Sequence, residues 1–204
     1  RTGHPQAVAA PTTRQARTTR TAILAVTVAG LPPDAQRGCR LTTPGTSSST
    51  STSAAPTARD QVVSAHKAYE AAFTACTEYP TTCDVSGVVV AGSPAATGVA
   101  SLVAQFAKDS LRGRPSPETY YVYEDFSLAN TGTQAVLRVC TVDADVTYAP
   151  HTGPQGQDVI VNDRLDSDLS DWTFRRDAGV WKLFMSSVIT QWKGSNGCPP
   201  RPSA

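Results

Sequence analysis

The chain lacks the signatures by which most active sites announce themselves. It has no C-x-x-C pair and no Cys/His cluster, so a structural zinc site has no ligand set. No serine nucleophile elbow, phosphate-cradling glycine loop or H-E-x-x-H pair occurs anywhere in its 204 residues. Charge is also scarce. Only 17% of residues are charged, against 40% hydrophobic, which gives enough apolar material for a packed core under a lightly charged surface. No apolar run is long enough for a comfortable bilayer span, since the longest candidate, Thr21 to Leu31, is about half the length a helix needs.

The small net charge of +1 hides an asymmetry. Residues 1–40 hold six arginines and one acid, a net of +5, so the remainder carries −4. An acidic body is a poor match for a phosphate backbone, and nucleic acid is set aside as a partner. A basic stretch followed by a short apolar run fits a secretory leader over residues 1–40. The sequence opens at Arg1 and not at a methionine, so the length of the basic segment is left open.

Five cysteines give the next clue. Cys39 stands alone after the leader, while Cys76, Cys83, Cys140 and Cys198 fall in the later, globular part. An even set of thiols behind a leader predicts a disulfide framework made in an oxidising compartment. Four cysteines allow three connectivities. Cys76–Cys83 with Cys140–Cys198 is the natural one, because the first two are close in sequence, but sequence alone does not choose among the three.

Cys39 is also a candidate lipidation site. Positive residues, an apolar run, Gly38-Cys39 and then a Ser/Thr-rich spacer resemble the layout of bacterial lipoproteins. Of the three positions before the cysteine, Gln36, Arg37 and Gly38, only Gly38 suits the lipoprotein peptidase. Cleavage after a small residue such as Ala29 is the competing export route, with Cys39 an unmodified thiol in the leader. Residues 41–58 form the linker. Within it, Thr42 to Thr57 holds 11 Ser/Thr in 16 residues and no charge, so it cannot bury enough apolar surface to offset chain entropy and reads as a disordered tether.

A single α+β domain is expected over 59–198, followed by a tail over 199–204. Thr57 and Asp60 make a capping-box pair, and Val62, His66, Tyr69, Phe73 and Cys76 recur at helical spacing until Pro80. A second helix is expected over Ala95 to Leu111. Strands then follow: Tyr120 to Leu128, the β-branched run Gln134 to Tyr148, Asp158 to Val161, Trp172 to Arg176 and Val180 to Trp192, with Asp177-Ala178-Gly179 as a tight turn. Two helices must then cover one face of an antiparallel sheet.

The segment Trp172 to Phe184, WTFRRDAGVWKLF, resembles the terminal hairpin of nuclear transport factor 2-like domains. The strand Ala135 to Asp143, AVLRVCTVD, resembles exported actinobacterial members with a paired cysteine there and another near the C-terminus. The resemblance spans about residues 59 to 198 and implies two helices packed on a curved sheet around a cone-shaped pocket. The long polar stretch Asn162 to Asp171 departs from that pattern and leaves strand order there open.

Candidate sites follow. His66 lies on the apolar helical stripe, and Glu124 interrupts the apolar face of a strand. Both pointing into one pocket would make an acid–base pair, as in the isomerases, dehydratases and polyketide cyclases of related folds. The alternative is a rim histidine with a glutamate turned outward by a bulge. Asp143 and Asp145 share a strand face, as a carboxylate pair or a solvated strand end. Asp163, Asp166, Asp168 and Asp171 cluster without the glycine and distant glutamate of a calcium loop. His151 sits in a Gly/Pro loop and should be exposed. Tyr120, Tyr121, Tyr123, Trp172, Trp181 and Trp192 are core or an aromatic cleft. The sequence reading is therefore an exported, non-enzymatic envelope domain with no cofactor and no metal, binding a small apolar ligand or an envelope protein. Its rivals are an isomerase or dehydratase, and a structural dimerisation module.

Overall fold

The computed structural model describes residues 55–201. The leader, Cys39 and nearly all of the Ser/Thr linker lie outside the described residues. Helix α1 runs Ala58–Glu78. Its N-cap Thr57 accepts a hydrogen bond from the Asp60 amide, and the Asp60 carboxylate accepts one from the Thr57 amide at 3.1 Å, so the capping box closes in both directions. Pro80 ends the helix in a short 3-10 turn, Pro80–Thr82. Helix α2, Pro94–Lys108, starts on Ser93 and places Val99, Leu102 and Phe106 inside.

The strands are β1 (Arg112–Arg114), β2 (Tyr120–Leu128), β3 (Gln134–Asp143), β4 (Val146–Ala149), β5 (Val159–Asn162), β6 (Asp166–Asp177) and β7 (Val180–Lys193). They form two antiparallel sheets, one ordered β2-β3-β6-β7 and one ordered β1-β4-β5. The fold class is therefore α+β, with both helices preceding the sheets. Ala178 and Gly179, both at positive φ, make the tight turn from β6 to β7.

Three features depart from the sequence reading. The run Gln134 to Tyr148 is two strands in two different sheets. Ala144 and Asp145 break it, held by the Thr119 hydroxyl, which accepts from the Ala144 amide and donates to Asp145. The polar stretch before Trp172 is mostly strand, because β6 already pairs with β3 from Asp166 onward. Strand β1 carries no apolar signal in the sequence. Its Gly113 lies so close to α1 that a Cβ there would sit 2.4 Å from the Thr77 hydroxyl.

The core lies between the helices and one end of the four-stranded sheet. Val62, Tyr69 and Phe73 of α1 meet Leu137, Val139, Phe174, Trp181 and Leu183 of the sheet. Two disulfides fasten the periphery. Cys76–Cys83 ties the last turn of α1 to the segment after the 3-10 turn, and Cys140–Cys198 ties the C-terminal segment to β3. In the chain-entropy account such loops contribute about 2.5 and about 4 kcal/mol respectively. The C-terminal segment crosses the sheet face opposite the helices. There Asn196 Nδ2 donates to the Tyr120 hydroxyl at 2.9 Å, and the Gly197 amide donates to Ser167 Oγ at 2.9 Å. Among the described residues no helix is long and apolar enough to cross a membrane.

Candidate functional site

Strand alternation decides which side chains share a face. On β3 the helix-side residues are Leu137, Val139, Thr141 and Asp143, and their β6 partners are Trp172, Ser170, Asp168 and Asp166. The character of this face changes along the strands. Leu137 and Trp172 are covered by the helices, whereas Thr141, Asp143, Asp166 and Asp168 lie where helix cover ends and the small sheet begins. There the chain leaves a cleft of about 710 Å³. Glu70, Phe73 and Thr77 line it from α1, Leu102 and Phe106 from α2, and Val161 and Asn162 from β5. Val188 and Ile189 of β7, each about half exposed, form an apolar lip with Val161.

Five carboxylates reach this cleft: Glu70, Asp143, Asp145, Asp166 and Asp168. Among the described lining residues the cations are Arg164 and Lys193. Arg164 holds Asp166 in a two-pronged pair at 2.8 Å, and that contact, with the Gly194 amide and Lys193, keeps the Asp166 carboxyl below its usual range. Asp145 is tied to its own loop, accepting from the Ser116 amide at 3.0 Å and from Thr119 Oγ1 at 2.5 Å. Asp143 accepts from the Asp145 amide at 2.9 Å. Asp168 accepts a short hydrogen bond from Ser170 Oγ. Glu70, only 5% exposed, accepts from the Tyr121 hydroxyl at 2.9 Å.

Two polar atoms of residues that line the cleft, Thr141 Oγ1 and Trp172 Nε1, are sealed from solvent and have no hydrogen-bond partner among the described residues; each residue is 4% exposed. A buried polar group left unmatched costs about 1–3 kcal/mol, so such groups call for a reason. Among the described residues, no three His, Cys, Asp or Glu side chains are arranged to hold a metal ion.

The structure does not bring His66 and Glu124 together. Glu124 falls at the β-bulge between Tyr123 and Asp125 and is exposed. The bulge adds one residue and turns the carboxylate away from the face its sequence position implied. His66 is fully buried behind the cleft and surrounded by Tyr69, Tyr121, Tyr123, Trp172 and Phe174. Burial, with a smaller push from Lys67, lowers its pKa to about 3. The ring is therefore neutral, and its 3.8 Å approach to Glu70 is a contact without ionic character. Tyr123, 3.4 Å from His66 Nδ1, has its phenol pushed well up by burial and by Glu70.

The other sequence candidates separate as follows. Asp143 closes β3, but Asp145 belongs to the turn after it, so they share the cleft and not a strand face. Of the acidic run, Asp166 and Asp168 line the cleft. Asp171 is on the opposite face, paired with Arg138 at 2.8 and 2.9 Å, and Asp163 is exposed. His151 is exposed in its loop. The six aromatics do not form one cleft. Trp172 lines it, Tyr121 and Tyr123 pack around His66, Trp181 is core, and Tyr120 meets the C-terminal segment. A Cβ on Gly197 would run into the Trp192 ring at 2.1 Å, which places Trp192 under that segment too.

Glu70 was missed, although a signal existed. It lies four residues after His66 on one helix, the spacing at which side chains meet.

No protein-family model matches the chain, and no curated protein matches it. Among solved structures, the intermembrane space region of the chloroplast protein ARC6 is similar, at 11% identity and a TM-score of 0.38, over 50% of this chain and 72% of that one.

Proposed function

We propose that this chain is an exported cell-envelope protein whose domain binds a small ligand in the cleft between its two sheets, without catalysing a reaction on it. The observation that carries the binding role is the cleft itself. It is of ligand size and has an apolar lip. A non-catalytic role is favoured because the acid–base pair does not assemble: Glu124 faces solvent, and neutral His66 sits outside the cleft lining. Export is supported by the two disulfides, which persist in oxidising compartments. In this reading residues 1–40 direct export, Cys39 is an anchoring point for lipid, and the Ser/Thr linker holds the domain off the membrane. The helices-then-meander order also suits a nuclear transport factor 2-like layout.

A second reading, a dimerisation module, draws on the exposed apolar residues Val159, Ile160, Val161, Val188 and Ile189 at the strand edges.

Two measurements test the proposal. Intact mass of protein from a secreting host, with and without reduction, should show a shortened N-terminus, a diacylglyceryl addition at Cys39 and a gain of four hydrogens on reduction. A full-length chain with four alkylatable late thiols would sink the export reading. A thermal-shift screen of small molecules should find compounds that raise the midpoint of the wild type and not of Ser186→Trp, which fills the cleft. Shifts that ignore that substitution would remove the cleft from consideration.

A further inference from the structure

The C-terminal segment carries the pair Asn196-Gly197 directly before Cys198. In such a pair the backbone nitrogen after the asparagine can attack the side-chain Cγ, at a rate set by how freely that nitrogen approaches. Glycine has no Cβ and leaves the path open. Packing imposes the glycine here, since a Cβ on residue 197 would lie 2.1 Å from the Trp192 ring. The other two asparagines of the chain, Asn130 and Asn162, precede Thr131 and Asp163, whose side chains shield the nitrogen. Asn196 and Gly197 are both exposed, so water reaches them.

In the fastened segment each reacting group is already engaged. Asn196 Nδ2, the leaving group, donates to the Tyr120 hydroxyl at 2.9 Å. Asn196 Oδ1 accepts from the Cys198 amide at 2.8 Å. The Gly197 N–H, the nucleophile, donates to Ser167 Oγ at 2.9 Å. Cyclisation removes Nδ2 as ammonia, strips the Gly197 nitrogen of its hydrogen and swings Oδ1 into a ring. All three bonds are therefore given up, and ring closure is held back while they last. They are secured on the C-terminal side by the Cys140–Cys198 disulfide. Beyond it, Arg201 donates to the Pro117 and Thr119 carbonyls at 2.6 and 3.0 Å and lies over the Tyr120 ring.

We infer that Asn196 is a deamidation site gated by the Cys140–Cys198 disulfide. A dithiol reductant opens the gate. One of its sulfurs attacks the half-buried Cys198 and the buried Cys140 leaves as thiolate. Its second sulfur then closes on the first and frees Cys198, so the reductant is oxidised and both cysteines are reduced. In the released segment the Gly197 nitrogen loses its proton and bonds to Asn196 Cγ, the Cγ–Nδ2 bond breaks, and ammonia departs. Water opens the cyclic imide to aspartate or isoaspartate. Isoaspartate adds one carbon to the main chain between Ser195, whose carbonyl accepts from Ser167 Oγ at 3.0 Å, and Cys198. Cys198 then falls out of register with Cys140, and a passing reduction becomes permanent. The gate does not depend on what the cleft binds.

The test follows conversion of Asn196 by peptide mass spectrometry during incubation in mildly alkaline buffer. Cys140→Ser with Cys198→Ser keeps Cys76–Cys83 closed and should deamidate at least about tenfold faster than the oxidised wild type, for three hydrogen bonds of ordinary strength. Wild type held reduced by a dithiol should match the variant, and Asn130 and Asn162 should keep their rates. Equal rates at Asn196 in the oxidised and released proteins overturn the inference. An acceleration shared with Asn130 and Asn162 marks unfolding, and Tyr120→Phe then decides, because it keeps the disulfide and removes the acceptor of Nδ2. A severalfold rise at Asn196 alone upholds the inference, and no rise overturns it. On reoxidation, molecules carrying isoaspartate should leave Cys140 and Cys198 open to alkylation, whereas closure equal to that of unmodified molecules overturns the permanence.

Discussion

The two halves of the four-stranded sheet are built from the same strands and face the same way, yet they do different work. At the end next to the β6–β7 turn, Ala135, Leu137, Phe174 and Leu183 are sealed under the helices at 1% exposure or less. Toward the far end of β3 and the start of β6, the equivalent positions are Thr141, Asp143, Asp166 and Asp168, and the helices do not close over them. One turn of helix separates Phe73, in the core, from Glu70, at the boundary. The sheet thus spends its apolar positions where they hold the fold together and leaves its polar ones beside a cleft. Apolar packing and the polar cleft lie at opposite ends of one surface.

The comparison is broken most forcefully from the sealed end. Phe174→Ala should lower unfolding free energy by about 3–5 kcal/mol in denaturant titration, the cost of a cavity under tight packing. A loss near 1 kcal/mol would mean that this end is looser than its burial suggests.

The boundary between the halves is tested by acid. His66 titrates near 6.5 when unfolded and near 3 in the fold. Between those values the unfolded chain binds a proton that the native state refuses, so stability falls as pH drops below 6.5. The loss amounts to about 2 kcal/mol between pH 8 and pH 5. Among the described residues, Glu70, Tyr69, Tyr121, Tyr123 and Lys67 are the titratable groups around the ring. His66→Leu should flatten that part of the stability–pH curve, and an unchanged slope would place the acid sensitivity elsewhere.

At the open end the effect should be smallest. Ser170→Ala removes a hydroxyl that bonds within the cleft wall and should change stability by no more than about 1 kcal/mol. A change as large as that of Phe174→Ala would show that the two ends are not energetically distinct.

Much of the framework was legible because local chemistry fixes it. The Thr57–Asp60 cap, the helical stripe through Phe73 and the Asp177–Val180 turn each need only neighbouring residues to form. What escaped depends on distant partners. Strand β1 exists because β4 pairs with it, and the early part of β6 is strand because β3 lies alongside. Nothing in the polar string Asp166 to Asp171 says so on its own. The site was legible in part. His66 and the acidic residues were visible as candidates, but a one-residue bulge reversed Glu124, and the alternation of β6 split the aspartates between two faces. Glu70 required only the i, i+4 relation to His66.

The fastening of the C-terminal segment across the back of the sheet has a consequence for how the gene can vary. Cys140 lies at 1% exposure beneath that segment, so its sulfur is shielded only while Cys198 is present. A premature stop just before Cys198 would delete no helix and no strand among the described residues. It would nevertheless uncover an orphan sulfhydryl on a central strand, ready to capture another molecule wherever conditions are oxidising. The penalty of such a lesion would be wrongly joined chains rather than a missing element.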